Sequence, residues 1–83
     1  FSAYAFTVKG FAELARVQID DAETSFKKAI QLAGGDGLPY LGLGLVKIRR
    51  GDLSGGRLLI QQAVHLEPNR ALYRSYLGKA LFE

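Results

Sequence analysis

His65 is the only histidine in this 83-residue chain, and cysteine is absent, so the residue types that carry most catalysis and metal binding are nearly missing. A histidine acts as base or ligand when a nucleophile, a carboxylate or further ligands stand at a matching spacing. His65 has no such companions; it falls late in a helical stretch and reads as an ordinary partly exposed helix residue. The adjacent carboxylates Asp20 and Asp21, with Glu23 close by, sit where a helix begins. There they serve backbone N–H groups and the positive end of the helix dipole rather than share a proton as an acid/base pair. Glycine clusters at Gly34-Gly35-Asp36-Gly37 and at Gly42 and Gly44 invite a phosphate-loop reading. Neither cluster follows a strand and the phosphate-loop lysine is missing, so a turn and a close helix crossing explain them better. No catalytic residue, cofactor or metal is expected, and the chain is not expected to be an enzyme.

The net charge of +3 raises the question of an anionic partner. The cations are dispersed. Lys47, Arg49 and Arg50 fall in the last turn of one helix, where the dipole favours them. Lys27 and Lys28 lie on a solvent face beside Glu23, and Arg70 and Arg74 open the last helix. Without interleaved aromatics or a helix-turn-helix signal, nucleic acid is not an expected partner. No stretch approaches the roughly 20 apolar residues of a membrane-spanning helix.

What must position any functional residue is a repeat. Gly10, Gly44 and Gly78 are 34 residues apart, and the apolar positions recur with them. Ala12, Val46 and Ala80 fall in register, as do Leu14, Ile48 and Phe82. Ile19 returns as Leu53, Ala22 as Gly56, Phe26 as Ile60, Ala29 as Ala63, Ile30 as Val64 and Leu32 as Leu66. Chains built by stacking one small unit present surfaces for binding and seldom carry an active site of their own.

A 34-residue unit with a small residue midway along its first helix, then an Ala-x-x-x-Phe pair and a closing proline, resembles the tetratricopeptide repeat. Tyr40, Leu43, Gly44, Gly56, Ile60, Ala63 and Pro68 carry the likeness in the middle copy, and Phe6, Gly10, Ala22, Phe26 and Ala29 in the first. The copies depart from the pattern at Lys9 in place of leucine, at Glu13 and Lys47 in place of the later aromatic, and at Gly34 in place of proline. In the third copy Leu77 and Gly78 are present and Arg74 replaces the aromatic. The resemblance implies an all-α fold, a right-handed superhelical array of antiparallel helix pairs. It divides a single domain over residues 1–83 into repeats at about 3–36 and 37–70, with a partial third at about 71–83. Two and a half such units are fewer than the three an array normally needs. That shortfall, Phe1 at the start and the lack of methionine imply a piece of a longer protein. The run from Asn69 to Ala80 also looks like repeat segments of large bacterial multidomain proteins, some associated with the cell envelope.

Five helices are expected. The first covers residues 3–16, and the second starts near Ile19 with Asp20 and Glu23 spaced as a capping box and stops at Gly34-Gly35. The third carries Pro39 in its first turn and reaches Arg50. Asp52 caps a fourth that ends near Glu67, before Pro68, and a fifth begins around Arg70. No segment alternates with a period of two, so no strand is expected.

The third helix, from Leu38 to Ile48, is apolar almost all the way round and needs cover on more than one side. Tyr40, Leu43 and Gly44 belong to the stripe packed inside the repeat; Leu41, Leu45 and Ile48 form a second stripe at helical spacing. By resemblance, the first helices of successive units line a concave groove that receives an extended peptide or a partner helix. Carried over by register, the groove residues are Tyr4, Thr7, Phe11 and Leu14, then Leu38, Leu41, Leu45 and Ile48, then Leu72, Ser75, Tyr76 and Lys79, with Phe82 beyond. The first two copies offer no Lys, Arg or Asn on this stripe, which argues against a clamp for a terminal carboxylate. The expected partner is a protein or peptide with an apolar or amphipathic segment. The competing expectation is a structural segment whose apolar face packs on its own parent chain or on a second copy; for any single residue, filling a contact between neighbouring helices explains the stripe as well.

Overall fold

The computed structural model describes residues 2–82, and side chains over residues 2–79. These residues form five α-helices and no strand: α1 (Ala3–Ala15), α2 (Ile19–Leu32), α3 (Leu38–Arg49), α4 (Leu53–Leu66) and α5 (Ala71–Phe82). Each helix packs on the next, and α1 also touches α3, so first helices of neighbouring units lie side by side.

Local chemistry places most of the helix ends. The Ser2 hydroxyl accepts from the Ala5 N–H at 3.2 Å at the start of α1, and the Asp52 carboxylate accepts from the Gly55 N–H at 2.9 Å at the start of α4. Pro39 occupies the first turn of α3, where its missing N–H is no loss. The expected capping box of α2 does not form. Its N-cap is Gln18, which makes no side-chain capping bond, while Asp20 and Glu23 both turn to the Arg50 guanidinium at the end of α3. A guanidinium offers each carboxylate a full opposite charge as well as N–H donors, which a backbone N–H does not, so the tertiary partner takes the two acids.

The turns after α1 and α3 share one geometry. Gln18 and Asp52 donate back to the Glu13 and Lys47 carbonyls at 2.8 and 2.9 Å, and Val17 and Gly51 donate to the Leu14 and Ile48 carbonyls at 3.0 and 2.9 Å. This bonding reverses a helix through one left-handed residue. That residue is Gly51 (φ 86°) in the second unit but Val17 (φ 62°) in the first. A β-branched residue is strained there, and the exposed Val17 side chain gains little burial in return. Val17→Asn, which tolerates this backbone, is expected to stabilise the fold by about 1 kcal/mol, read as a higher denaturant midpoint at unchanged slope.

Two apolar clusters hold the helices together. Leu14, Ala22, Phe26, Leu43 and Val46 join α1, α2 and α3; Leu41, Ile60, Ala63 and Tyr73 join α3, α4 and α5. Phe26 is the centre of the first. Its ring meets Phe11 edge-to-face at 4.9 Å between centroids, and it fills the space left by two glycines. A Cβ at Gly10 would stand 2.7 Å from the ring, and one at Gly42 would overlap it outright. Glycine at these positions is what lets α1 and α3 close on the same side chain.

Candidate partner-binding face

The α1–α3 contact brings the apolar stripes of these two helices side by side. Phe11 and Leu45 both pack against the first cluster, and Leu38, Leu45, Ile48 and Tyr76 against the second. A band of half-buried apolar side chains therefore runs from α1 across α3 to α5. Tyr4 (67% exposed) and Leu72 (49%) extend it at either end, with Ser75 and Lys79 also exposed. The Lys79 ammonium stands 5.8 Å from the Tyr76 ring centroid, which holds a cation at the α5 end of the band.

Thr7, Leu14 and Leu41, expected on the same stripe, are closed off in this chain. Leu41 is 2% exposed and belongs to the cluster with Ile60 and Tyr73. Leu14 packs with Ala22 and Phe26, and the Thr7 hydroxyl donates to the Ala3 carbonyl of its own helix at 3.0 Å. The reason is the α1–α3 contact itself and the arrival of α5, which cover positions that a single helix wheel leaves open. Phe82 lies outside the residues whose side chains are described. The exposed imidazole of His65 is on α4, off this band. A hollow of about 470 Å³ lies elsewhere, on α2, lined by Thr24, Lys27, Lys28, Ile30 and Gln31.

Polar networks that the sequence did not reveal fix the helices beneath the band. At the junction of α3, α4 and α5, the Gly37 N–H donates to Glu67 Oε1 at 2.7 Å and the Tyr73 hydroxyl donates to the same oxygen at 3.2 Å. Arg70 Nη1 reaches the Tyr73 oxygen at 3.2 Å. The Gly37 hydrogen bond holds the Glu67 carboxyl below its ordinary 4.5, against the opposing effect of burial. Burial, and then the Glu67 charge, push the Tyr73 phenol up to about 12.

Between α1 and α2, the Ser25 hydroxyl donates to Glu13 Oε1 at 2.5 Å and Lys9 Nζ to Glu13 Oε2 at 2.7 Å. Burial pushes the Glu13 carboxyl up, but these two hydrogen bonds outweigh it and hold it low. Between α2 and α3, Glu23 accepts from Arg50 and lies 3.0 Å from Lys27 and 3.8 Å from Lys47. The Arg50 and Lys27 bonds hold its carboxyl low as well. Glu13 and Lys47, which replace the repeat's later aromatic, thus exchange a packing contact for an ionic one.

These shifts have a sign. A carboxyl held low when folded contributes stability above its unfolded value that is lost as pH falls through the folded one; a phenol held high contributes below its unfolded value and loses it as pH rises through the folded one. The unfolding midpoint is expected to stay level near neutrality, fall below pH 4.5, and fall again between pH 10 and about 12. Thermal melts across pH check it, with Tyr73→Phe flattening the alkaline limb.

No family model matches the chain. It is 35% identical over 71 residues to a Caenorhabditis elegans cell division cycle protein 27 homolog, a stretch covering 84% of this chain and 9% of that one. It is 36% identical over 62 residues to the cellulose synthase 1 operon protein C of Komagataeibacter xylinus, covering 75% of this chain and 5% of the relative. To anaphase-promoting complex subunit 3 of Schizosaccharomyces pombe it is 28% identical over 75 residues, 90% of this chain and 11% of the other. The chain spans about a tenth or less of these curated relatives' length. Together with the five-helix fold, these similarities support a tetratricopeptide-like helical repeat.

Proposed function

We propose that this chain is a protein-interaction scaffold that binds an apolar or amphipathic peptide segment along the band from Tyr4 and Phe11, across Leu38 and Leu45, to Leu72 and Tyr76. The observation that carries the reading is the direct α1–α3 contact, because it merges stripes from separate repeats into one continuous surface. Affinity comes from apolar area removed from water, and the Tyr and Phe rings supply most of it. One similar protein is by name a subunit of a multiprotein complex, in keeping with this role. Reaction chemistry forms no part of the proposal, and neither does nucleic acid.

The test is selection of peptides from a randomised display library against the folded 83-residue chain, followed by binding to variants. Selected peptides are expected to be rich in apolar residues and to lose binding to a Tyr4→Asp, Leu72→Asp variant that melts like the parent. Unchanged binding to that variant, or no selectable peptide, would sink the reading.

A second reading, assembly with the parent chain or another copy, draws on Val8. This residue is exposed on α1 at the register of Gly42, which lies on α3 and is buried against the Phe26 ring of α2. Light scattering over a range of concentrations separates the two: a stable dimer favours assembly, and a folded monomer favours peptide capture.

A further inference from the structure

The cations of α3 and α5 fall into two groups. Those off the band are engaged within the fold: Arg50 with Asp20 and Glu23, Lys47 with Glu23 at 3.8 Å, Arg70 with Glu67 at 3.6 Å, and Arg74 Nη1 with the Pro68 carbonyl at 2.9 Å. Arg49 and Lys79 are exposed and form no ion pair with a described carboxylate. Both lie on the band. Arg49 stands four residues beyond Leu45 and eleven beyond Leu38, one turn and three turns along the same stripe of α3. Lys79 stands at the register of Phe11 and Leu45, and its neighbour Tyr76 packs on the same cluster as Leu45 and Ile48. The two cations therefore border the α3–α5 side of the band, while the α1 stripe of Tyr4, Phe11 and Leu14 is uncharged. No described carboxylate lies on the band: each caps a helix start, ties two segments together or, as Asp21, sits in the first turn of α2. Glu83, four residues beyond Lys79, is outside the described residues.

We infer that the segment this band receives is acidic at one end: an apolar stretch flanked by Asp or Glu side chains that lie over Arg49 and Lys79. The inference rests on the peptide-binding reading above and adds the charge and the orientation of the ligand. Both cations stand in the last turn of a helix, where the dipole favours them, and that weak surface attraction leaves their charge open to a partner. Such a pair attracts an acidic end, repels a basic one and fixes which end of the segment rests on α5. An exposed ion pair contributes up to about 1 kcal/mol, so the apolar area supplies the affinity and the cations supply the selection.

The test begins with display selection on the folded chain from a fully randomised peptide library. The selected peptides are then synthesised with amidated C-termini, so that only side-chain acids are read. They are expected to carry Asp or Glu at one end of the apolar stretch. Replacing those acids by their amides, or the chain's cations through Arg49→Gln with Lys79→Gln, should weaken binding roughly three- to tenfold, and the two losses should not add. Lys27→Gln with Lys28→Gln removes the same net charge from α2, off the band, and should leave binding within about twofold. Arg49→Glu with Lys79→Glu should select basic ends instead. Apolar peptides without an acidic end, or amide-substituted peptides that bind as well as their parents, would overturn the inference while leaving the apolar groove standing. The same holds if the band and α2 variants bind alike. No selectable peptide would overturn both.

Discussion

Phe26→Ala is expected to lower the stability of the chain by about 3–5 kcal/mol. Phe26 is fully buried at the meeting of α1, α2 and α3, and truncating such a residue costs about 3–5 kcal/mol, because a cavity remains where the ring was. The whole stability of a chain this long is roughly 4–12 kcal/mol, so one side chain carries a large part of it. The surroundings are poorly placed to relax, since Gly10 and Gly42 have no side chains with which to fill the space. Phe26→Leu, which keeps most of the volume, should cost far less. Urea titrations followed by circular dichroism measure both. A loss below about 1 kcal/mol for Phe26→Ala would mean that α1 and α3 are not held through this ring.

Leu41→Glu is the second change expected to cost several kcal/mol, and it bears directly on where the proposed binding band ends. Leu41 is packed with Ile60, Ala63 and Tyr73, and the ionised groups nearest that cluster, Glu67 and Arg70, are already engaged with Gly37 and Tyr73. A carboxylate there loses the leucine's burial and gains no partner, a combined cost of several kcal/mol. Leu41→Met should cost less than about 1.5 kcal/mol because volume and polarity are kept. Leu72→Glu, on the exposed end of the band, should change stability by no more than about 0.5 kcal/mol. If Leu41→Glu kept a native melt, the leucine would belong to an open surface and not to the core. The comparison separates residues of the open band from residues that hold the fold, although both read alike on a helical wheel.

The period itself was legible because each repeat solves the same packing problem with the same residue classes. Gly10 and Gly44 announce close crossings, Phe26 and Ile60 announce what fills them, and Asp52 announces the start of α4; each partner lies in the same unit. Five helices and no strand among the described residues follow from that pattern. The capping box at Asp20 and Glu23 misled for the opposite reason: its competitor, Arg50, comes from the next unit, and no local pattern registers an ion pair spanning 27 to 30 residues. Glu67 and Tyr73 escaped notice in the same way, since Gly37 is 30 residues from the carboxylate that accepts its N–H.

Sequence alone therefore determined the helical repeat, its period and the apolar excess on α3, because periodicity and side-chain size act along the chain. Only the tertiary structure decided which of those apolar residues are core. Leu41 and Leu45 sit on one stripe of α3, yet the first is closed by α4 and α5 while the second stays half open. A helix apolar all round carries no mark of which side its neighbours will cover. That depends on where α1 and α5 come to rest, and their positions are set by the Phe26 and Tyr73 clusters acting together.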